Sequence, residues 1–126
     1  MHPVFSVDAF KAFSAAHDAT AHNLANINTD EFRSMRLDLE TGPEGKGVKP
    51  SLVTEDRNPG PVVHRQELVE DEQKVVRQRE VAVHASNTDV AREIAQMIRH
   101  ERAFEASARV VRTYDHLAGN IIDVLV

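Results

Sequence analysis

The longest regular pattern lies near the C-terminal end of the chain. Val90, Ile94, Met97, Glu101, Phe104, Ala108, Val111, Asp115, Ala118, Ile122 and Leu125 follow one another at alternating spacings of four and three. That is the period of a coiled-coil helix. A helix over residues 89–125 would be on the order of 55 Å long and needs a partner along its length. Thr88 is positioned to cap it, and Asp89 suits the positive end of its dipole. At the other end of the chain, Phe10, Phe13, His17, Thr20, Leu24 and Ile27 show the same alternation and predict a helix over 4–28. Ala9, Ala12, Ala16 and Ala19 lie beside that stripe and permit close approach of a neighbour. Asn23, Asn26 and Asn28 crowd its end, with Asn28 as the predicted C-terminal cap.

Residues 33–85 change period. Met35, Leu37 and Leu39 alternate with Ser34, Arg36, Asp38 and Glu40, as in a half-buried strand. Gly42–Gly47 breaks the pattern, and Val48–Thr54 reads as a second strand that Pro50 pushes towards an edge. Asn58-Pro59-Gly60-Pro61 is a turn cluster, because Pro limits φ and Gly permits positive φ. Val62–Val69 and Val75–Val83 are two further candidates, and the expected arrangement is a small antiparallel meander.

These readings predict an α+β fold. Long N- and C-terminal helices pair as a coiled-coil-like hairpin, with a small antiparallel β-rich insert between them. One domain covers 1–126, divided into 1–32, 33–85 and 86–126. The N-terminal stripe is too small and polar to cover the C-terminal one. A well-buried large apolar side chain contributes about 1.5–3 kcal/mol, so association is expected. Glu101 and Asp115 on the seam are expected to set register, since buried polar groups need a partner.

Composition narrows the function classes. Hydrophobic residues at 41% and charged residues at 28% suit an ordered chain, and 5% aromatics without tryptophan suit thin helical seams. A net charge of −5 argues against nucleic acid as partner. Lys74, Arg77 and Arg79 form the one short basic run of the middle segment, and the arginines of the last helix alternate with acids. With no cysteine, disulfides and thiolate chemistry are excluded. The start, Met1 to Ser6, lacks the basic and apolar blocks of a cleaved signal peptide. No stretch approaches the ~18 apolar residues of a membrane span.

Candidate chemistry is sparse. Seven histidines invite a metal reading, through Asp18 with His22, Arg112 with His116, or Met97, His100 and Glu101. None makes an HExxH motif or a tight histidine pair, so solvated or capping roles and no cofactor are expected. The serines lack a nucleophile-elbow context, and Gly42–Gly47 lacks the strand–loop–helix setting of a phosphate cradle. No catalysis is expected. A soluble dimeric helical adaptor shares all these patterns and stands as the alternative.

Two motifs separate the readings. Ala21-His22-Asn23-Leu24-Ala25-Asn26-Ile27-Asn28-Thr29, followed by Phe32-Arg33, resembles the signature of flagellar rod and hook proteins. Ser86-Asn87-Thr88-Asp89-Val90 and Arg102-Ala103-Phe104-Glu105-Ala106 resemble the C-terminal block of the same family. Gly47-Val48-Lys49 and Leu52–Asp56 are similar to the middle of its small proximal rod subunits. Three departures stand out: Glu31 occupies the place of the usual glycine before the signature aromatic, Phe32 replaces tyrosine, and the charged run 64–80 stands where the family has a glycine- and tyrosine-containing stretch.

The resemblance implies a structural subunit of the bacterial flagellar basal body that assembles into a hollow helical rod across the periplasm. Its implied partners are copies of itself, other rod subunits and the flagellar type III export apparatus, with no nucleic acid and no membrane insertion. The implied assembly interface comprises Phe10, Phe13, Asn23, Leu24, Asn26, Ile27, Thr29 and Phe32 from the N-terminal segment. From the C-terminal helix it takes Val90, Ile94, Met97, Glu101, Phe104, Ala108, Val111, Ile122 and Leu125. The asparagine amides are expected to bond across subunit boundaries.

Overall fold

The computed structural model describes residues 3–125, with side chains described from Val7 to Val124. Residues 1, 2 and 126, including the start of the Met1–Ser6 segment, lie outside the described residues. The chain begins with helix α1, Pro3–Ala25, where the proline sits in the first turn and its missing N–H is tolerated. The helix ends three residues before the predicted Asn28 cap. Asn26 terminates it instead: its backbone N–H bonds the His22 carbonyl at 3.2 Å, and its Nδ2 donates to the same oxygen at 2.9 Å. The side chain thus competes for a backbone acceptor of the last turn.

Two hairpins follow. Strand β1, Met35–Thr41, pairs antiparallel with β2, Val48–Glu55, across a short 3₁₀ turn at Pro43–Gly45. Their register shifts between Leu37, opposite Val53, and Leu39, opposite Pro50. The irregularity falls beside Pro50, which has no N–H for the ladder. Strand β3, Val62–Glu70, pairs with β4, Val76–His84, in an unbroken register from Val62 opposite His84 to Glu70 opposite Val76. Asp71 closes that hairpin by accepting the backbone N–H groups of Gln73 and Val75 at 2.9 and 3.0 Å.

This architecture corrects the expected fold class. The segment between the helices is no small insert with one meander. It is a substantial four-stranded region made of two separate two-stranded sheets. β2 and β3 do not pair, because the linker between them contains Pro59 and Pro61, which cannot donate to a ladder. The linker is held at β4 instead, with Ala85 N–H on the Pro61 carbonyl at 2.9 Å and the His84 ring nitrogen 3.0 Å from the Gly60 carbonyl.

Helix α2, Val90–Leu125, completes the chain. Its cap is Asp89 rather than Thr88: Asp89 Oδ1 accepts the Arg92 N–H at 3.1 Å, and the Asp89 carbonyl accepts that of Glu93 at 2.9 Å. Thr88 is occupied upstream, its hydroxyl accepting from Ser86 at 2.8 Å. α1 packs antiparallel on the N-terminal two-thirds of α2, with the Phe10 and Phe104 rings edge to face at 4.4 Å. Among the described residues the fully buried apolar core is thin, consisting of Ala12 and Ala16 on α1. These small side chains let the helix backbones come close.

Candidate assembly surface

The side of α2 that meets α1 is set by α1's small residues and not by the longest apolar repeat. Glu93, Gln96, Met97, His100, Ala103, Ser107, Val110, Val111 and Tyr114 are buried or half-buried, whereas Val90, Ile94, Glu101 and Asp115 are exposed. Met97, Ala108 and Val111 of the predicted seam are half-buried as well, so the covered face is the predicted seam turned by about one residue. The polar residues expected on the seam, Glu101 and Asp115, therefore face solvent. Their places at the interface are taken by Glu93 and His100, and Glu93 is only 8% exposed.

α1 also stops short. It is 23 residues long against 36 for α2, and from Asp115 to Val124 every side chain of α2 is exposed. That projecting stretch carries Leu117, Ile121 and Ile122 at 53%, 60% and 61% exposure. Leu117, Ile121 and Val124 recur at helical spacing on one face. A contiguous apolar face without a partner marks an interaction surface. Of these residues the sequence reading singled out Ile122; the four-then-three spacing of the other three was the available signal. Leu125 ends the helix, and its side chain lies outside those described.

The asparagine-rich segment is engaged within the chain. Asn23 is 1% exposed, and its amide bonds both backbone groups of Met35. That geometry gives Asn23 a different task from the inter-subunit bonding expected of it. Asn26 is half-buried and bonds His22 and the Thr29 hydroxyl, the latter at 3.1 Å. Phe32 is half-buried with its ring 5.5 Å from His22, and Phe13, Leu24 and Ile27 are likewise half-buried. Glu31, at the place of the usual glycine, has a φ of 61°, the left-handed region that favours glycine. The conformation is held by a clasp on His84: Glu31 N–H bonds the His84 carbonyl at 2.7 Å, and its carboxylate accepts the His84 N–H at 2.9 Å.

Asn87, absent from the expected interface, is the hub of the region. Its Oδ1 accepts the Ser34 N–H at 2.7 Å, and its Nδ2 donates to the carbonyls of Asp56 and Asn58 at 2.9 and 2.7 Å. One side chain thus ties the start of β1, the end of β2 and the entry to α2. The quoted motif contained this residue, but nothing in its spacing revealed three distant acceptors and donors.

Among the described residues no group of three or more His, Asp or Glu side chains stands close enough to hold a metal ion. No described helix is long and apolar enough to cross a membrane. No curated protein matches the chain. Residues 81–124, the second half of β4 and nearly all of α2, match the family described as flagellar basal body rod FlgEFG protein C-terminal. The matched part is roughly a third of the chain and includes the projecting apolar end of α2. This similarity supports the flagellar rod-protein family and, with it, a rod-type structural role in the basal body.

Proposed function

We propose that the protein is a structural subunit of the flagellar basal-body rod, self- and co-assembling through its terminal helices into a hollow helical axial structure used in motility. The observation that carries this reading is the uncovered end of α2, where Leu117, Ile121 and Ile122 face solvent beyond the reach of α1. Burying such residues contributes about 1.5–3 kcal/mol each, and a neighbouring copy or another rod subunit supplies the missing cover. Contacts between unlike surfaces propagate instead of closing, which suits an axial tube.

In this reading the segments 1–32, 33–85 and 86–126 act as one axial domain, and the half-covered positions Phe10, Phe13, Leu24, Ile27, Met97, Phe104, Ala108 and Val111 complete their burial in the assembled wall. Export proceeds through the flagellar type III apparatus into the periplasm. The middle-segment resemblance favours the small proximal subunit FlgC as the nearest counterpart. The test is Leu117→Lys with Ile121→Lys. The variant should match the wild type in far-ultraviolet circular dichroism yet fail to polymerise in sedimentation and fail to restore swimming. Intact rods and normal swimming in the variant strain would overturn the proposal. A discrete wild-type dimer that never grows would instead favour a soluble adaptor.

A further inference from the structure

Among the described residues, no hydrogen bond or ion pair joins α1 to α2. The hydroxyls on the two helices bond their own helix instead: Thr20 to the Ala16 carbonyl at 3.2 Å, Ser107 to Ala103 and Thr113 to Arg109 at 2.9 Å. The Arg109–Glu105 pair likewise stays within α2. The seam is therefore held by contact alone, through Ala12, Ala16 and the Phe10–Phe104 rings. The last turn of α1 is fastened differently, since Asn23 holds Met35 by two hydrogen bonds of 2.8 and 2.7 Å.

One imidazole from each helix interrupts the apolar seam. His17 of α1 and His100 of α2 are both half-buried and line one cleft of about 400 Å³ with Phe13 and Phe104. Among the described residues, His100 Nδ1 alone is a side-chain polar atom enclosed without a hydrogen-bond partner. In a neutral ring that nitrogen can carry a bare lone pair. A protonated ring has an N–H on both nitrogens, and the one at Nδ1 would be a charged, enclosed donor with no acceptor.

The surrounding charges do not relieve this. From α1 the facing group is His17, and from α2 they are Arg99, Glu101 and Glu105, with Arg92 and Glu93 on the other side of the ring. From the β1–β2 hairpin and the residues after it, Arg36, Glu55, Asp56 and Arg57 line the groove that His100 also borders. None of these carboxylates reaches Nδ1. Burial first, and then His17 and Arg99, hold the His100 pKa below 6.5.

We propose that His17 and His100 form an acid-released latch on the α1–α2 seam, closed while both rings are neutral and opened when a proton on His100 parts the helices about the Asn23–Met35 bridge. Each hairpin keeps its own ladder and stays formed. The closed seam hides the apolar sides of the two terminal helices, and the open one presents them. The latch goes beyond the assembly reading and does not depend on it. An open seam returns His100 to water and to its ordinary pKa of 6.5. The closed form is therefore fully favoured above that value and loses its advantage as pH falls through the depressed one. Across that window the ratio of open to closed chains rises by up to about tenfold per pH unit.

The chain has no cysteine, so Lys11→Cys with Ala106→Cys, exposed positions on α1 and α2, places a single pair of spin labels on the full chain. Electron–electron double resonance should give one short distance at about pH 8 and a growing longer one towards about pH 5. Over the same range the amide NMR signals of both hairpins should keep their native positions, and the His100 ring should titrate together with the distance change. Adding His100→Gln should abolish the pH response. Adding His17→Gln should shrink it, because the closed-state His100 loses a repelling neighbour. Labels that stay close while the His100 ring titrates overturn the latch. So does an opening that His100→Gln leaves at the same pH, or hairpin signals lost in step with the helices.

Discussion

Asn23 and Met35 are joined by a two-way bridge, Asn23 Oδ1 accepting the Met35 N–H at 2.8 Å and Asn23 Nδ2 donating to the Met35 carbonyl at 2.7 Å. A side-chain amide carries one donor edge and one acceptor edge, so it can pair with a single backbone residue as a neighbouring strand would. The bridge fastens the last turn of α1 to the first residue of β1. It explains why an amide occupies a buried site on the face of α1 that also carries Ala12, Ala16 and Thr20.

Asn23→Ala should therefore act on the single chain before it acts on any assembly. Truncation leaves both Met35 groups without partners and opens space at a buried site. A loss of about 2–3 kcal/mol follows from two hydrogen bonds and the exposed penalty for unpaired backbone. Urea unfolding of the isolated chain measures it, and an unchanged midpoint with an unchanged slope would contradict the assignment.

Stability should fall on acidification, and His100 should account for part of the fall. Its Nδ1 is buried with no hydrogen-bond partner. Burial first, and then the nearby His17 and Arg99, hold its pKa below the ordinary 6.5. The unfolded chain therefore takes up this proton before the folded one does. The contribution is intact above the unfolded value and is lost as pH falls through the depressed folded value. Glu101 and Glu105 line the adjacent cleft with Phe13, Ser14 and His17. Melting temperatures recorded from about pH 8 to about pH 5 should decline less steeply for His100→Gln than for the wild type. Parallel curves would remove His100 from the account.

Two glycines should respond to alanine with opposite signs. A Cβ at Gly60 would stand 1.9 Å from the Ala85 carbonyl oxygen, which is backbone and cannot swing away. Gly60→Ala should cost about 2 kcal/mol or more and loosen the junction between linker and β4. A Cβ at Gly119, within α2, meets nothing within 4 Å, so Gly119→Ala should stabilise the helix by about 0.5–1 kcal/mol. Thermal melts of the pair test both, and a shift of the same sign in each would contradict the packing described.

The strand positions are readable because alternation at Met35, Leu37 and Leu39, and the valine-rich runs after Pro61 and Lys74, have a period of two that side-chain direction imposes. Their organisation is less readable. The expectation of a small meander assumes that short strands must share one sheet to bury area. The β3–β4 ribbon instead stands exposed along most of its length, held by its unbroken ladder and anchored at the root by Arg65 on Asp30 at 3.0 Å. Such a ribbon is marginal by itself, and local pattern carries no sign of whether a neighbour covers it.

By itself the sequence determines that both ends are helical, where the turns fall, and that the last helix is longer than anything else in the chain can cover. These follow from the spacing of apolar side chains and from the backbone limits of Pro and Gly. Only the tertiary structure decides which side of α2 meets α1, that Glu93 and His100 are enclosed while Glu101 and Asp115 are not, and that Asn23 and Asn87 bond within the chain. Periodicity defines a stripe but not a rotation. The rotation is settled by where Ala12 and Ala16 allow two backbones to approach and by which distant carbonyls an amide meets once the chain has closed.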